Sequence, residues 1–195
     1  MIPALVEGYL EERLLAVLWR QLGRSEALTF RNAGGSPFWG HARRFNEAGE
    51  HQLVLGLADL EQASCASAAL EALGKPRSNG FKLRLAVRMI ESWVMADRES
   101  FAAYLGVRVA QVPREPDLLE HPKRAVVDLA RRSRRRSVRD AVVPSGSGPV
   151  GAEYMPFMTT FVGSRWEVGR ARLNSPSLER ACRRWLDIQS SDSIA

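Results

Sequence analysis

The chain has 195 residues, of which 45% are hydrophobic and 26% charged. This balance builds one well-buried domain and excludes wholesale disorder. Lys and Arg number 28 against 22 Asp and Glu, for a formal charge of +6, and an excess carried almost wholly by arginine suits a polyanionic partner. Cys65 and Cys182 make neither a disulfide framework nor a metal knuckle and read as reduced packing residues. No apolar run is long enough for a membrane helix.

The N-terminal IPALVEG reads as a short buried strand ending at Glu7 and Gly8. An acid at position 7 and the lack of a basic leader argue against a signal or transit peptide, so a cytoplasmic location is the default expectation. From Tyr9 to Leu22, apolar residues at 10, 14, 15, 18 and 22 repeat with a helical period, and Gly23 is a stop. A strand turning into a helix across a glycine opens an α/β fold. LTFRNAGGSPFWGHARRF mixes strand formers with turn formers and gives no clean assignment. HQLVLGLA returns to a buried-strand pattern, QASCASAALEAL continues as a helix of small residues, and FKLRLAV alternates as a strand.

VRMIESWVMAD is helical, with Val87, Ile90, Trp93 and Val94 spaced to bury one side. Asp97 is the expected N-cap of the short helix in DRESFAAYLG, with Glu99 in its first turn. Beyond the prolines of VPREPDLLEHP, a helix over 123–139 becomes strongly basic. The Gly-, Ser- and Pro-rich segment at 143–151 is expected to be flexible and leads into the aromatic-rich AEYMPFMTTF. A last helix is expected over 176–189, with Ser175 as N-cap, Pro176 at the first helical position and Glu179 in the first turn. The terminal QSSDSIA is expected to fray. Without a repeat or a convincing linker, residues 1–195 form one α/β domain, a mostly parallel sheet with helices on both faces.

Carboxylates are the candidate chemistry. Glu7 and Asp59 both close apolar strands, and an open parallel sheet places its ligands at that edge. Glu61 follows Asp59 by two positions, and Glu11 lies one helical turn after Glu7. Glu91 stands in an otherwise apolar helix. Each has a plainer explanation: Glu11 with Glu12 and Arg13 as a solvated helix face, Glu61 at the positive end of the next helix, and Glu91 paired with Arg88 or Arg84. Gathering several carboxylates costs electrostatic energy unless a cation joins them. All-oxygen ligands favour Mg²⁺ or Mn²⁺ over zinc, and such ions activate water and stabilise charge on a phosphoryl oxygen. His41, His51 and His121 lack cluster spacing and take no metal role.

ARRSRRRSVR places Arg131, Arg132, Arg134, Arg135, Arg136 and Arg139 together with no acid among them. A solvated helix end needs fewer cations than this, whereas a phosphate backbone uses them all in salt-sensitive, sequence-independent contact. An acidic partner protein would use the same patch. Trp39, near Phe38 and Phe45, serves either as a stacking platform for a base or as a loop anchor. The nearby glycines lack the lysine and Ser/Thr of a nucleotide-binding phosphate loop. The chain contains no Walker motif.

VEGYLEE, LADLE, RMIESWVMAD, HPKRAVVDL and NSPSLERACRRWLD, taken in order, resemble the bacterial domain-of-unknown-function family 4276. That family is related to the TOPRIM domains of topoisomerases, primases and the overcoming-lysogenization-defect nucleases. The resemblance runs along nearly the whole chain and implies a TOPRIM-like (Rossmann-like) fold. By it, Glu7 matches the glutamate after the first strand, with Gly8 permitting the turn, and Glu11 matches a second glutamate found in nuclease relatives. Asp59 and Glu61 match a DxD motif, departing from it by a glutamate in second place. Glu91 matches a later acid, and Lys123 a phosphate-facing lysine.

The resemblance thus implies a nuclease dependent on Mg²⁺ or Mn²⁺ and acting on DNA or RNA. Glu7 and Asp59 hold the main ion, Glu11, Glu61 and Glu91 complete a second ion or orient water, and Lys123, helped by Arg84 or Arg88, neutralises the scissile phosphate. It also implies the effector role of an antiviral defence system, beside an ATPase that is a separate polypeptide. The alternative is an inactive TOPRIM-like subunit that binds nucleic acid or an ATPase partner. A third class, nucleotidyl transfer, has no nucleotide pocket to support it. Self-association is left open, because no symmetric interface can be read.

Overall fold

The computed structural model describes residues 1–34, 37–61, 63 and 65–188. Four strands form its sheet: β1 (Ile2–Val6), β2 (Leu28–Asn32), β3 (Val54–Asp59) and β4 (Phe81–Ala86). All pairings are parallel, in the order β2-β1-β3-β4, with Val6 beside both Asn32 and Leu57, and Asp59 beside Ala86. This is a Rossmann-like α/β architecture. The connections diverge between β1 and β3, where a parallel sheet opens a crevice at its C-terminal edge. Glu7 and Asp59 stand at that divide.

Strand alternation sends side chains into two cores. Ala4, Val6, Leu55 and Leu57 join the larger one, while Leu5, Val54 and Ala58 join the smaller. Helix α1 (Tyr9–Gln21) lines the larger core with Leu10, Leu14, Leu15 and Leu18, at the spacing that its sequence predicts. The stretch without a clean assignment becomes β2 followed by α2 (Phe38–Ala48), whose Phe38 and Ala42 cap the smaller core. Gly56 is required there: a Cβ would lie 2.7 Å from Leu83 and 2.8 Å from the Phe81 ring.

The expected small-residue helix after β3 is reduced to α3 (Ala66–Leu70) and a 3₁₀ turn at Glu71–Leu73. Gln62 and Ser64, inside that expectation, lie outside the described residues. Cys65 is exposed rather than packed, while Cys182 is buried in the larger core. The next helix, α4 (Ile90–Ala96), is buried along its whole length. Asp97 precedes α5 (Arg98–Leu105), but its carboxylate makes no cap hydrogen bond. It is fully buried and accepts from Glu167 N at 2.9 Å and Arg170 Nε at 2.8 Å, tying α5 to α9 (Val168–Ala171).

The expected basic helix over 123–139 is instead two helices, α6 (Pro122–Arg131) and α7 (Arg136–Val142). Ser133 explains the break. Its hydroxyl donates to Leu105 O at 2.5 Å and accepts from Arg135 N at 3.0 Å, local bonds that compete with the helical ladder. The 143–151 segment closes with Gly151 N donating to Val142 O at 2.9 Å.

Beyond it come α8 (Tyr154–Ser164), packed along α1, and α10 (Pro176–Leu186). Ser175 caps α10 as expected, accepting from Leu178 N at 3.2 Å. The helix ends at Leu186, and the terminal QSSDSIA lies outside the described residues. Trp93, Trp166 and Trp185 are fully buried, and each indole N–H finds an acceptor: Ser177 Oγ, Trp93 O and Lys82 O. Those bonds let large aromatic bodies be buried without stranding a polar group. The C-terminal third is thereby bound to the sheet and walls the crevice. No described helix is long and apolar enough to cross a membrane.

Candidate metal centre

The crevice at the β1–β3 divide is a pocket of about 440 Å³ lined by Glu7, Glu11, Asp59, Glu61, Glu91 and Lys123. Every acid singled out in the sequence, and the lysine with them, reaches this one place. Backbone geometry positions the first two strand-end acids. Glu7 Oε2 accepts from Asp59 N at 2.7 Å, and Asp59 Oδ1 accepts from Ile90 N at 2.7 Å. Three segments distant in sequence are thus joined through carboxylates, and each acid keeps a second oxygen.

Gly8 permits the turn from β1 into α1 without crowding Glu11, since a Cβ at position 8 would stand 3.0 Å from Glu11 Oε2. Glu11 is only 7% exposed, so it is no part of a solvated helix face. Its α1 neighbours Leu10, Leu14 and Leu15 point into the core, and Glu11 lines the crevice beside them. Glu91 is 2% exposed and pairs with neither Arg88 nor Arg84. Its Oε1 accepts from Tyr154 Oη at 3.0 Å and lies 3.7 Å from Lys123 Nζ. Its Oε2 is buried without a hydrogen-bond partner among the described residues.

The electrostatics follow from this crowding. Burial raises the Glu11 carboxyl to about 7, and the charges of Glu91 and Glu7 push in the same direction. Asp59 is held well above the ordinary carboxylate range by burial, then by Glu11, Glu91 and Glu7, with the Ile90 N–H opposing. Glu7 is raised by burial, partly offset by its bond from Asp59 N–H. The Tyr154 hydroxyl is pushed well above its usual value by burial and by Glu91, so it stays protonated and donates.

A divalent cation held by these carboxylates would oppose their upward shifts by favouring the ionised forms. One carboxylate oxygen from each of Glu7, Glu11 and Asp59 lies within 4.8 Å of the others. Oxygens about 3 to 4 Å apart surround an octahedral Mg²⁺, so small torsional adjustments suffice. The all-oxygen donor set and the orphaned Glu91 oxygen fit such an ion. Buried carboxylate oxygens without donors are costly otherwise.

Glu61 occupies the exposed rim, with backbone φ of 49°. That left-handed conformation costs a non-glycine residue roughly 1–2 kcal/mol. Three bonds hold this turn: Glu61 N donates to Arg88 O at 2.9 Å, and Arg88 donates to Glu61 O at 3.1 Å and Ala63 O at 2.8 Å. Arg88 therefore braces the loop behind the acids.

The remaining arginines scatter. Arg84 lies on the edge strand in a separate cleft with Arg77 and Arg184, where burial lowers its guanidinium to about 10. Arg131 bonds Asp128 at 2.7 Å and lines a groove that adjoins Lys123. Arg132, Arg134 and Arg135 line another cleft beside Gly106. Arg136 pairs with Asp140 at 3.4 Å, and Arg139 donates to Ser133 O at 2.5 Å. The run contiguous in sequence is thus spread over several settings: three of its arginines meet in one cleft across the break at Ser133, Arg131 lines another groove, and Arg136 pairs with Asp140.

Tyr154 has no counterpart among the residues singled out from the sequence. A tyrosine in an aromatic-rich segment carries no local sign that it faces an acid in α4. No protein-family model, no curated protein and no solved structure matches the chain.

Proposed function

We propose that this chain is a phosphodiesterase dependent on Mg²⁺ or Mn²⁺ that hydrolyses nucleic acid, the activity implied by its resemblance to TOPRIM-related nucleases. One observation carries the reading: five carboxylates from three chain segments converge on a single pocket, with a buried Glu91 oxygen left without a donor among the described residues. Glu7, Glu11 and Asp59 would hold the ion, with Glu91 behind them. When bound, such an ion activates water and neutralises charge on a phosphoryl oxygen.

The chain's own groups do the rest. The bonds from Asp59 N and Ile90 N fix the two strand-end carboxylates before any substrate arrives, so no reorganisation is needed at reaction. Lys123, half-exposed at the pocket wall, faces an incoming phosphate as a point charge. Glu61 on the rim orients water. Arg84 plays no part here, and Arg88 acts by supporting Glu61. An effector role in antiviral defence beside a separate ATPase rests on the resemblance alone.

A second reading, an inactive nucleic-acid-binding subunit, is favoured by the Lys123–Glu91 pair, since a resident ammonium already offsets part of the acid charge. Mn²⁺ titration followed by electron paramagnetic resonance, with a cleavage assay on DNA and RNA, separates the two. The phosphodiesterase reading expects Mn²⁺ to bind, and cleavage to need both Mn²⁺ and Asp59, with Asp59→Ala abolishing it. A folded protein that binds no Mn²⁺ overturns it.

A further inference from the structure

The carboxylate pocket is the middle of three clefts that share walls. Met155 lines both this pocket and a neighbouring cleft of about 620 Å³ formed by Tyr9, Phe30, Pro156 and Thr159 among others. On a separate flank, which shares no residue with that cleft, Met89 and Lys123 line both the pocket and a groove of about 470 Å³ whose described lining includes His121, Arg124 and Arg131 and no carboxylate.

The two outer clefts differ in chemistry. In the first, Tyr9 is 69% exposed and Met155 39% exposed, beside a half-buried Phe30. Its only charges, Glu12 and Arg13, are opposite. Tyr9 is the first residue of α1, two positions after Glu7, so the turn that aims Glu7 also places this ring beside the pocket. Large apolar groups left in water at the rim of a polar site mark a contact surface. Arg131 and Arg124 of the second cleft both pair with Asp128, which lies outside its lining, at 2.7 Å and 3.9 Å, and this holds both guanidinium groups to one side of α6.

Resting on the phosphodiesterase reading, we propose that the substrate is single-stranded nucleic acid. It crosses the carboxylate pocket with an unpaired base against Tyr9, Phe30 and Met155 and its adjoining phosphates along Lys123, Arg124 and Arg131. The acidic floor repels phosphate, so the cationic groove provides the approach. A base in a duplex is stacked and paired, and cannot lie in a cleft beside its own backbone. A flat aromatic surface accepts any unstacked base, which makes this contact tolerant of sequence.

The test is fluorescence anisotropy of the full chain with dye-labelled oligothymidylate, alone and annealed to oligodeoxyadenylate, with Ca²⁺ in place of Mg²⁺ to keep the strand uncleaved. The single strand is expected to bind about tenfold more tightly than the duplex. Tyr9→Ala, an exposed position that leaves the core intact, should erase this preference. The double variant Arg124→Ala/Arg131→Ala should weaken both forms and flatten the salt dependence. Equal affinity for the two forms, a preference that survives Tyr9→Ala, or no binding of either form overturns the proposal. Mn²⁺ binding measured on the same samples tells the two readings apart. Normal Mn²⁺ binding without strand preference sinks only the single-strand proposal, whereas no Mn²⁺ binding sinks the phosphodiesterase reading beneath it.

Discussion

Glu7 and Asp59, 52 residues apart, are joined by a 2.7 Å hydrogen bond in which the Asp59 backbone N–H donates to the Glu7 carboxylate. The bond gives Glu7 two separable duties: acceptor for a strand end and anionic ligand. A carboxylate that spends one oxygen on a backbone donor still offers the other to a cation.

Glu7→Gln separates these duties. The amide oxygen still accepts from Asp59 N, while the charge is gone. The variant is expected to fold with undiminished stability in metal-free buffer, because it removes one member of a like-charged group. Its Mn²⁺ affinity should fall by at least the roughly 10- to 100-fold that supporting residues alone contribute at metal sites. Calorimetric titration with Mn²⁺ measures this, and an unchanged affinity would remove Glu7 from the ligand set.

The crowded acids predict an unusual pH response. Glu11 rises from an ordinary 4.5 to about 7 on folding, so the folded state binds its proton more tightly than the unfolded state does. Its contribution is fully present below pH 4.5 and is lost as pH rises through about 7. The span corresponds to a ceiling of about 3 kcal/mol, and Asp59, shifted the same way, adds to it. Metal-free protein should therefore melt at lower temperature at pH 8 than at pH 5.5. Glu11→Gln should flatten that slope, and Mn²⁺ should restore stability at the higher pH. A melting temperature that climbs over this interval without metal contradicts the assignment.

Tyr154→Phe tests the least visible member of the site. Among the described residues the hydroxyl is the one donor within hydrogen-bond distance of Glu91 Oε1, with Lys123 further off at 3.7 Å. Its loss should cost about 1.5–3 kcal/mol of unfolding free energy, the range for bonds to charged groups. Urea denaturation in chelator measures it, and wild-type stability would mean that Glu91 has another way to satisfy its charge.

The acids that could be read from the sequence share one property: each breaks a local pattern. Glu7 and Asp59 interrupt apolar strands, and Glu91 interrupts an apolar helix. Glu11 was harder, since its neighbours Glu12 and Arg13 disguise it as part of a solvated face. Tyr154 breaks no pattern, because an aromatic residue is ordinary in an aromatic helix. The arginine run is legible as a concentration of charge but not as two helices, because the Ser133 hydroxyl finds the distant Leu105 carbonyl and the helix breaks there.

Most of the strand and helix order outside β2, α2 and the α6–α7 break, the parallel α/β class and the suspicion of a cation-holding acid cluster were written in local periodicity and in its interruptions, because burial acts on each residue through its immediate neighbours. Which oxygens meet, which one is left without a donor, and how the flanking clefts adjoin depended on strand order. The 2-1-3-4 arrangement brings the ends of β1 and β3 side by side, and contacts across that many residues have no signature in the spacing of one chain.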